Sequence, residues 1–213
     1  MSYKLLFGLI TLFIVQVAQA DDKPYVPTVV VSREEVLKVK DDDIVIGCGD
    51  AKHVIIEYSS LSCPHCAQYY KDVFPKLKAE VINKCKAKYV YRDFPTTRSA
   101  LKGVALARCL TTEENGKVNG EEFFKFIQLL FQSQATWAFS DAYEDNLSKI
   151  FSFTGISQEK ISRCMADKNL MHDIVAKSFV SMKSLNMSRS PSIFVDGIEI
   201  QIPKFDTIND AVK

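Results

Sequence analysis

The stretch His53-Val54-Ile55-Ile56-Glu57-Tyr58-Ser59-Ser60-Leu61-Ser62-Cys63-Pro64-His65-Cys66 limits what this chain can fold into more than any other. Residues 53–58 are rich in β-branched and aromatic side chains and too few for a free-standing helix, which predicts a strand. Beyond Cys66, Tyr70, Val73, Phe74, Leu77 and Val81 recur at spacings of three and four, while Lys71, Lys76, Lys78 and Lys84 fall mostly on other faces, so a helix follows. A strand running into a helix places Cys63 at the helix N-terminus, where unpaired backbone N–H groups and the helix dipole favour a sulfur anion. Cys66, one turn further in, can close a ring with Cys63 but is covered by its own helix. Cys63 is then the attacking sulfur and Cys66 the resolving one. Pro64 suits the first helical turn, where no N–H is missed. His65 can direct a hydrogen bond or a positive charge at the Cys63 thiolate, stabilising the dithiol and making the disulfide a stronger oxidant.

A Cys-x-x-Cys pair is also half of a zinc site. A closed site needs two more ligands, and the chain holds no second such pair and no spaced His pair. A secreted metal-binding or metal-delivery module using Cys63, Cys66 and His65 stands as the rival from a different class; stoichiometric zinc or copper without dithiol oxidation is its signature. Attachment of a c-type haem requires His directly after the second cysteine, and Ala67 stands there. The redox reading requires no cofactor and no metal.

The chain has 213 residues, 47% of them hydrophobic, enough for one sizeable core or a core with an inserted lobe. Lys4 precedes an almost wholly apolar run, Leu5 to Val17, and Ala18-Gln19-Ala20 has the small-x-small pattern of a cleavage site, so residues 1–20 read as an export signal. An uncleaved membrane anchor is the alternative, although the run is short for a bilayer span. Both place the folded part outside the cytoplasm, in the periplasm or otherwise exported. Loss of residues 1–20 takes Lys4 and no acidic residue, so the 27 basic side chains fall to match the 26 acidic ones. No strongly basic face is implied, which argues against a nucleic-acid partner. Six cysteines in an oxidising compartment point to disulfides.

Asp21 to Pro27 reads as a loose leader and Thr28-Val29-Val30-Val31 as an edge strand. Ser32 caps a short helix or turn, and Ile44-Val45-Ile46 forms a brief strand between Asp41-Asp42-Asp43 and Gly47-Cys48-Gly49-Asp50. Pro75 should kink the active-site helix. Lys88 to Phe94 reads as a second strand ended by Pro95, and a strand-helix-strand crossover of this length gives parallel pairing. Helical periodicity then runs through 99–110, 121–132, 140–153, 157–165 and 169–184, an all-helical insertion. Ser190 to Ile202 reads as a hairpin around Asp196-Gly197, and Phe205 to Val212 as a last helix capped by Asp206. His53 and His172 have no local partners, and Trp137 reads as core or lobe surface. Cys48 and Cys85 fall at points of a strand-helix unit that can share one end of the sheet, which offers a Cys48–Cys85 bridge if they come within reach.

Three segments together, Glu57-x5-Cys63-Pro64-His65-Cys66, Tyr91-Arg92-Asp93-Phe94-Pro95 and Ser190-Pro191-Ser192-Ile193-Phe194-Val195-Asp196-Gly197, resemble the thioredoxin superfamily, and within it the DsbA-like thiol:disulfide oxidoreductases. The resemblance spans about residues 51–202. It implies an α/β thioredoxin fold with an inserted all-helical domain: residues 1–20 signal, 21–96 first part of the thioredoxin-like domain, 97–184 helical insertion, 185–213 second part. It implies Cys63 as attacking thiol, Cys66 as resolving thiol and Pro191 as the cis-proline facing the disulfide, with Ser190 before it pairing with substrate backbone. Glu57 matches the semi-buried acid thought to move a proton from the resolving thiol; a surface glutamate is the alternative. A Cys109–Cys164 bridge resembles the structural disulfide of a subset of these proteins. Exported polypeptides as substrates and a quinone-linked DsbB-type membrane protein as reoxidant are further implications. An isomerase or reductase is the rival within this chemistry, but it usually needs an added dimerisation domain, for which residues 21–50 are too short; a monomer is expected.

Overall fold

The computed structural model describes residues 31–213. The signal segment, the leader and residues 28–30 of the expected edge strand lie outside the described residues, and Val31 belongs to no strand. In chain order come α1 (Arg33–Leu37), β1 (Ile44–Ile46), β2 (His53–Ser59), α2 (Pro64–Asp72), α3 (Phe74–Leu77), a π-helical turn (Lys78–Ile82) and β3 (Ala87–Asp93). There follow α4 (Arg98–Thr111), α5 (Gly120–Gln132), α6 (Gln134–Trp137), α7 (Tyr143–Ser152), α8 (Gln158–Met165) and α9 (Lys168–Leu185). The chain then closes with β4 (Ser192–Val195), β5 (Ile198–Ile200) and α10 (Phe205–Ala211).

The strands form one sheet in the order β1-β3-β2-β4-β5, with β2 and β3 parallel and the other pairs antiparallel. The β2-α2-β3 crossover dictates the parallel pair, and the β4–β5 hairpin turns on Asp196 (φ 48°) and Gly197 (φ 83°), the left-handed pair a tight hairpin requires. Asp196 also ties this turn to the central strand. Its carboxylate accepts from Val54 N at 2.9 Å and lies 2.6 Å from His53 Nδ1. His53 therefore has a partner, 143 residues away in sequence and invisible to a local reading.

Both faces of the sheet are covered. One carries Ile55, Tyr89, Tyr91 and Ile193 against α2, α4 and α5; the other carries Ile56, Tyr58, Val90 and Phe194 against Val36 of α1 and Leu185 at the end of α9. Residues of opposite parity along β2 are thus both apolar, as burial on two faces demands. Helices α2 and α3 are fixed by stacked rings: Phe131 on Tyr70 (4.4 Å), Tyr70 on Phe74 (4.6 Å) and Phe74 on Phe124 (5.5 Å). Such pairs add about 0.5–1.5 kcal/mol each beyond the area they bury. Trp137 is fully buried, and Gly103 of α4 faces it so closely that a Cβ there would meet the indole at 3.1 Å.

Several expectations need correction. Pro75 does more than kink the helix: with its N–H missing, the helix divides at Val73 into α2 and the short α3. The last helix is preceded by Lys204, not capped by Asp206; Lys204 itself is extended (φ −97°, ψ 160°), and Thr207 Oγ1 accepts from Lys204 N at 3.1 Å. The helix expected from Ser140 starts at Tyr143, because Ser140 Oγ accepts from Ala142 N and closes a turn first. The segment 97–184 contains helices and no named strand, and its loop between α4 and α5, where Asn115-Gly116 divides the pattern, is closed by an isolated antiparallel bridge between Thr112 and Val118.

Two disulfides staple the fold. Cys109 on α4 is bonded to Cys164 on α8 (Cα–Cα 5.5 Å), and Cys48 to Cys85 (Cα–Cα 5.2 Å). The second encloses β2, α2, Cys63 and Cys66 in a loop of sequence separation 37. Replacing Cys109 and Cys164 together by serine is expected to cost about 4 kcal/mol, the chain-entropy figure for a loop of this size. A denaturant melt of the double variant against wild type checks it; an unchanged midpoint would mean the helices hold each other without the bond.

Candidate active site

β2 ends at Ser59, and the turn that follows delivers Cys63 as the residue before α2, with φ −81° and ψ 120°, non-helical itself while Ala67 N already donates to its carbonyl at 3.1 Å. No side chain caps this helix, so its first N–H groups stay available to the sulfur. Pro64 takes the first helical position; Pro64 and His65 are exposed, Cys63 is partly buried and Cys66 fully buried. From the other side, the β2–β4 register sets Ser192 opposite Tyr58, which brings the preceding residues over the sulfurs. The Ser190–Pro191 peptide bond is cis. Cys63 Sγ lies 3.2 Å from Ser190 O, a contact in which only the protonated thiol donates, and Cys66 Sγ lies 3.0 Å from Ser190 Oγ. Both cysteines are free thiols.

The two sulfurs differ sharply in acidity. A hydrogen bond from the Cys66 thiol, helped by the N–H groups of Cys66 and His65 and the charge of His65, brings Cys63 down to about 6 against the opposing effect of burial. Burial pushes the Cys66 thiol far up, and the neighbouring Cys63 and Glu57 push it further. One sulfur is an anion at neutral pH and the other holds its proton.

Glu57 is fully buried under this pair, which excludes the surface placement. Tyr70 OH and Tyr89 OH donate to its Oε2 at 2.9 and 2.7 Å. Burial pushes its carboxyl up to about 7, while the hydroxyls of Ser59, Tyr89 and Tyr70 favour the anion. Glu57, Cys63, Cys66, Ser190 and Pro191 are therefore brought together, with His65 and Pro64 at the rim.

Sequence reasoning missed Gln134. Its Nε2, on α6, donates to Leu61 O at 2.7 Å and to Cys63 O at 3.1 Å, so a helix remote in sequence clamps the loop that presents the sulfur. A second brace is a hydroxyl cluster: Ser60 to Thr96 at 2.9 Å and Thr97 to Ser62 at 2.9 Å. Nothing in the letters marked one glutamine or these hydroxyls among many. Beside Pro64 a groove of about 490 Å³ runs between Gln68, Phe131 and Gln134. Among the described residues no third His, Cys, Asp or Glu joins the two cysteines as a metal-binding group.

The sequence profile of a family described as Thioredoxin matches residues 39–213. Over 194 residues the chain is 31% identical to a Rickettsia bellii protein provisionally named a protein-disulfide oxidoreductase, covering 91% of this chain and 71% of that one. A Rickettsia prowazekii protein of the same provisional name is 33% identical over 175 residues, covering 82% of this chain but 62% of its own length. The crystal structure of Wolbachia pipientis alpha-DsbA1 superposes with a TM-score of 0.76 at 25% identity, over 85% of this chain and 94% of that one. The chain belongs to the thioredoxin family, among the DsbA-like protein-disulfide oxidoreductases.

Proposed function

We propose that this protein donates the Cys63–Cys66 disulfide to polypeptides exported to the periplasm. A substrate thiolate attacks Cys63 Sγ; the S–S bond breaks, and its electron pair leaves on Cys66, which takes up a proton. A second substrate thiolate then attacks the substrate sulfur of the mixed disulfide and expels Cys63 as a thiolate. The substrate gains one disulfide and the protein is left as the dithiol. Glu57 supplies the Cys66 proton in this direction and receives it on reoxidation, which a quinone-linked membrane protein of the DsbB type performs. Ser190 offers its backbone to an extended substrate segment across from Cys63. The protein acts as a monomer.

The observation that carries this reading is the unequal pair: an acidic, partly accessible Cys63 beside a buried, proton-holding Cys66. Stabilising the thiolate stabilises the reduced form and makes the disulfide oxidising. Equilibration of the pair with glutathione tests it, and a poise as reducing as thioredoxin's would overturn the oxidase direction.

The acidity carries its own sign. Cys63 is depressed in the folded dithiol, so the stabilisation of that form is present above the ordinary thiol range and is lost as pH falls through about 6. Alkylation of Cys63 by iodoacetamide should rise with a midpoint of about 6 and be flat from pH 7 to 8. A midpoint at the ordinary thiol value of about 8.5 would remove the thiolate from the reading.

A further inference from the structure

Among the described residues, four buried side-chain polar atoms have no partner in full hydrogen-bond geometry: Glu57 Oε1, Ser59 Oγ, Tyr91 OH and Asp93 Oδ1, although the Ser59 hydroxyl is near enough to the Glu57 carboxyl to favour its anion. They are not scattered. In the parallel β2–β3 pairing, Glu57 stands opposite Tyr91 and Ser59 opposite Asp93, so all four lie at successive positions on one face of two adjacent strands. Buried polar atoms without partners are rare and costly, and a contiguous row of them is the environment that holds internal water.

The two ends of the row differ. At one end, the Glu57 charge reaches the Cys66 thiol. At the other, Asp93 Oδ2 accepts from Arg108 Nε at 2.5 Å, and both residues line a cavity of about 370 Å³ that also holds Arg92, Asp43, Asp173 and Lys177. Neither Cys63 nor Cys66 lines that cavity.

We infer that Ser59, Tyr91 and Asp93, with water between them, form an internal proton route joining Glu57 to the Arg108-lined cavity. The inference rests on the proposed chemistry, in which each catalytic cycle moves a proton onto Cys66 and off again. Glu57 is sealed by its tyrosines and has to be refilled and emptied from solvent. Each hydroxyl or water on the row accepts one proton on one side and releases one on the other, so no relay group changes state after a transfer and no sulfur changes oxidation state in the relay.

The groups that face the two acids are defined. Around Glu57 stand Cys66, Tyr69 and Tyr70 from α2 and Tyr89 and Tyr91 from β3; around Asp93 stand Tyr91, Arg108 of α4, and Asp173 and Lys177 of α9. Burial pushes Asp93 up despite Arg108, and Glu57 up to about 7, so both acids can hold and release protons nearer neutrality than ordinary carboxyls do. Ser59, Tyr91 and Asp93 are positioning residues for the proton and touch no substrate.

Tyr91→Phe is the decisive variant, because the hydroxyl it removes has no protein partner, so the change breaks no protein hydrogen bond and keeps the ring. The resolution of a Cys63 mixed disulfide by Cys66 should slow about tenfold near neutral pH, the lower end of what a positioned proton-transfer group contributes. Its solvent deuterium effect should rise, while the pH midpoint of Cys63 alkylation stays where it is in wild type. Asp93→Asn should act in the same direction where it folds. A high-resolution crystal structure should show water bonded to all four row atoms, a readout independent of activity. An unaltered resolution rate in Tyr91→Phe, or a dry row, overturns the route. Failure of the wild-type protein to oxidise dithiols at all overturns the proposed function instead, and the two results cannot be confused.

Discussion

Replacing Cys63 by serine is expected to abolish dithiol oxidation, a loss on the order of 10⁴-fold or about 5 kcal/mol of transition-state stabilisation, as for removal of a nucleophile elsewhere. A serine hydroxyl does not ionise in the pH range where Cys63 is an anion, and it cannot form the disulfide that is transferred. Substitutions at Cys66 sort the remaining contributions. Both Cys66→Ser and Cys66→Ala keep the attacking sulfur without its partner, so with a disulfide-bonded peptide each should accumulate the mixed disulfide formed when the Cys63 thiolate attacks one peptide sulfur and the other leaves as a thiolate, visible on a non-reducing gel. They should differ in the acidity of Cys63, because the largest cause of its depression is the hydrogen bond from the Cys66 side chain. Serine keeps a donor at that position and should keep rapid alkylation at pH 7. Alanine removes it and should move the midpoint up towards the ordinary thiol value. Equal midpoints in the two variants would assign the depression to the helix N-terminus alone, and substantial turnover by Cys63→Ser would end the proposal that Cys63 is the nucleophile.

The residues that were legible in the sequence are those whose role is set by local chain geometry. A β-branched run, two cysteines and a three-four apolar spacing fix strand, N-terminal sulfur and helix without reference to the rest of the chain, and β2, α2 and the Asp196-Gly197 hairpin lie where those patterns put them. Parallel pairing of β2 with β3 followed from the crossover alone. What the letters could not carry is set by which distant elements meet. Gln134 clamps Cys63 O only because α6 packs over the active-site loop, and His53 meets Asp196 only because β4 lies beside β2. Glu57 is the instructive middle case. Its place six residues before Cys63 was readable, but its burial depends on Tyr70 from α2 and Tyr89 from β3 closing over it, and a strand glutamate with an open face has the same letters. The α9 helix makes the same point at larger scale, since its periodicity placed it in the helical segment while its C-terminal end covers the second face of the sheet.

Glu57→Gln is expected to stabilise the protein at neutral and alkaline pH while impairing it as a catalyst. The folded carboxyl sits at about 7 against an ordinary value of 4.5. Between those pH values the folded protein holds a proton that the unfolded chain has released, so stability falls as pH rises and levels off above about 7. Across that interval the cost reaches about 3 kcal/mol, at 1.36 kcal/mol per pKa unit. A glutamine has no proton to lose, and its carbonyl can accept from both Tyr70 and Tyr89 as Oε2 does. The variant should therefore match wild type near pH 4 and exceed it by about 3 kcal/mol at pH 8, with the difference opening between. Other carboxylates with shifted acidity, Asp42 among them, contribute equally to both proteins and cancel in the comparison. Paired urea melts from pH 4 to 8 measure it directly. The function should move the other way: without a group to exchange a proton with Cys66, reoxidation and the opening of the Cys63–Cys66 disulfide by substrate both slow at pH 7, the exchange of stability for activity that a buried titratable group implies. A stability difference that is constant with pH would show that Glu57 is already ionised at pH 4 or never ionises up to pH 8, and in either case it could not hand protons to a sulfur near neutrality.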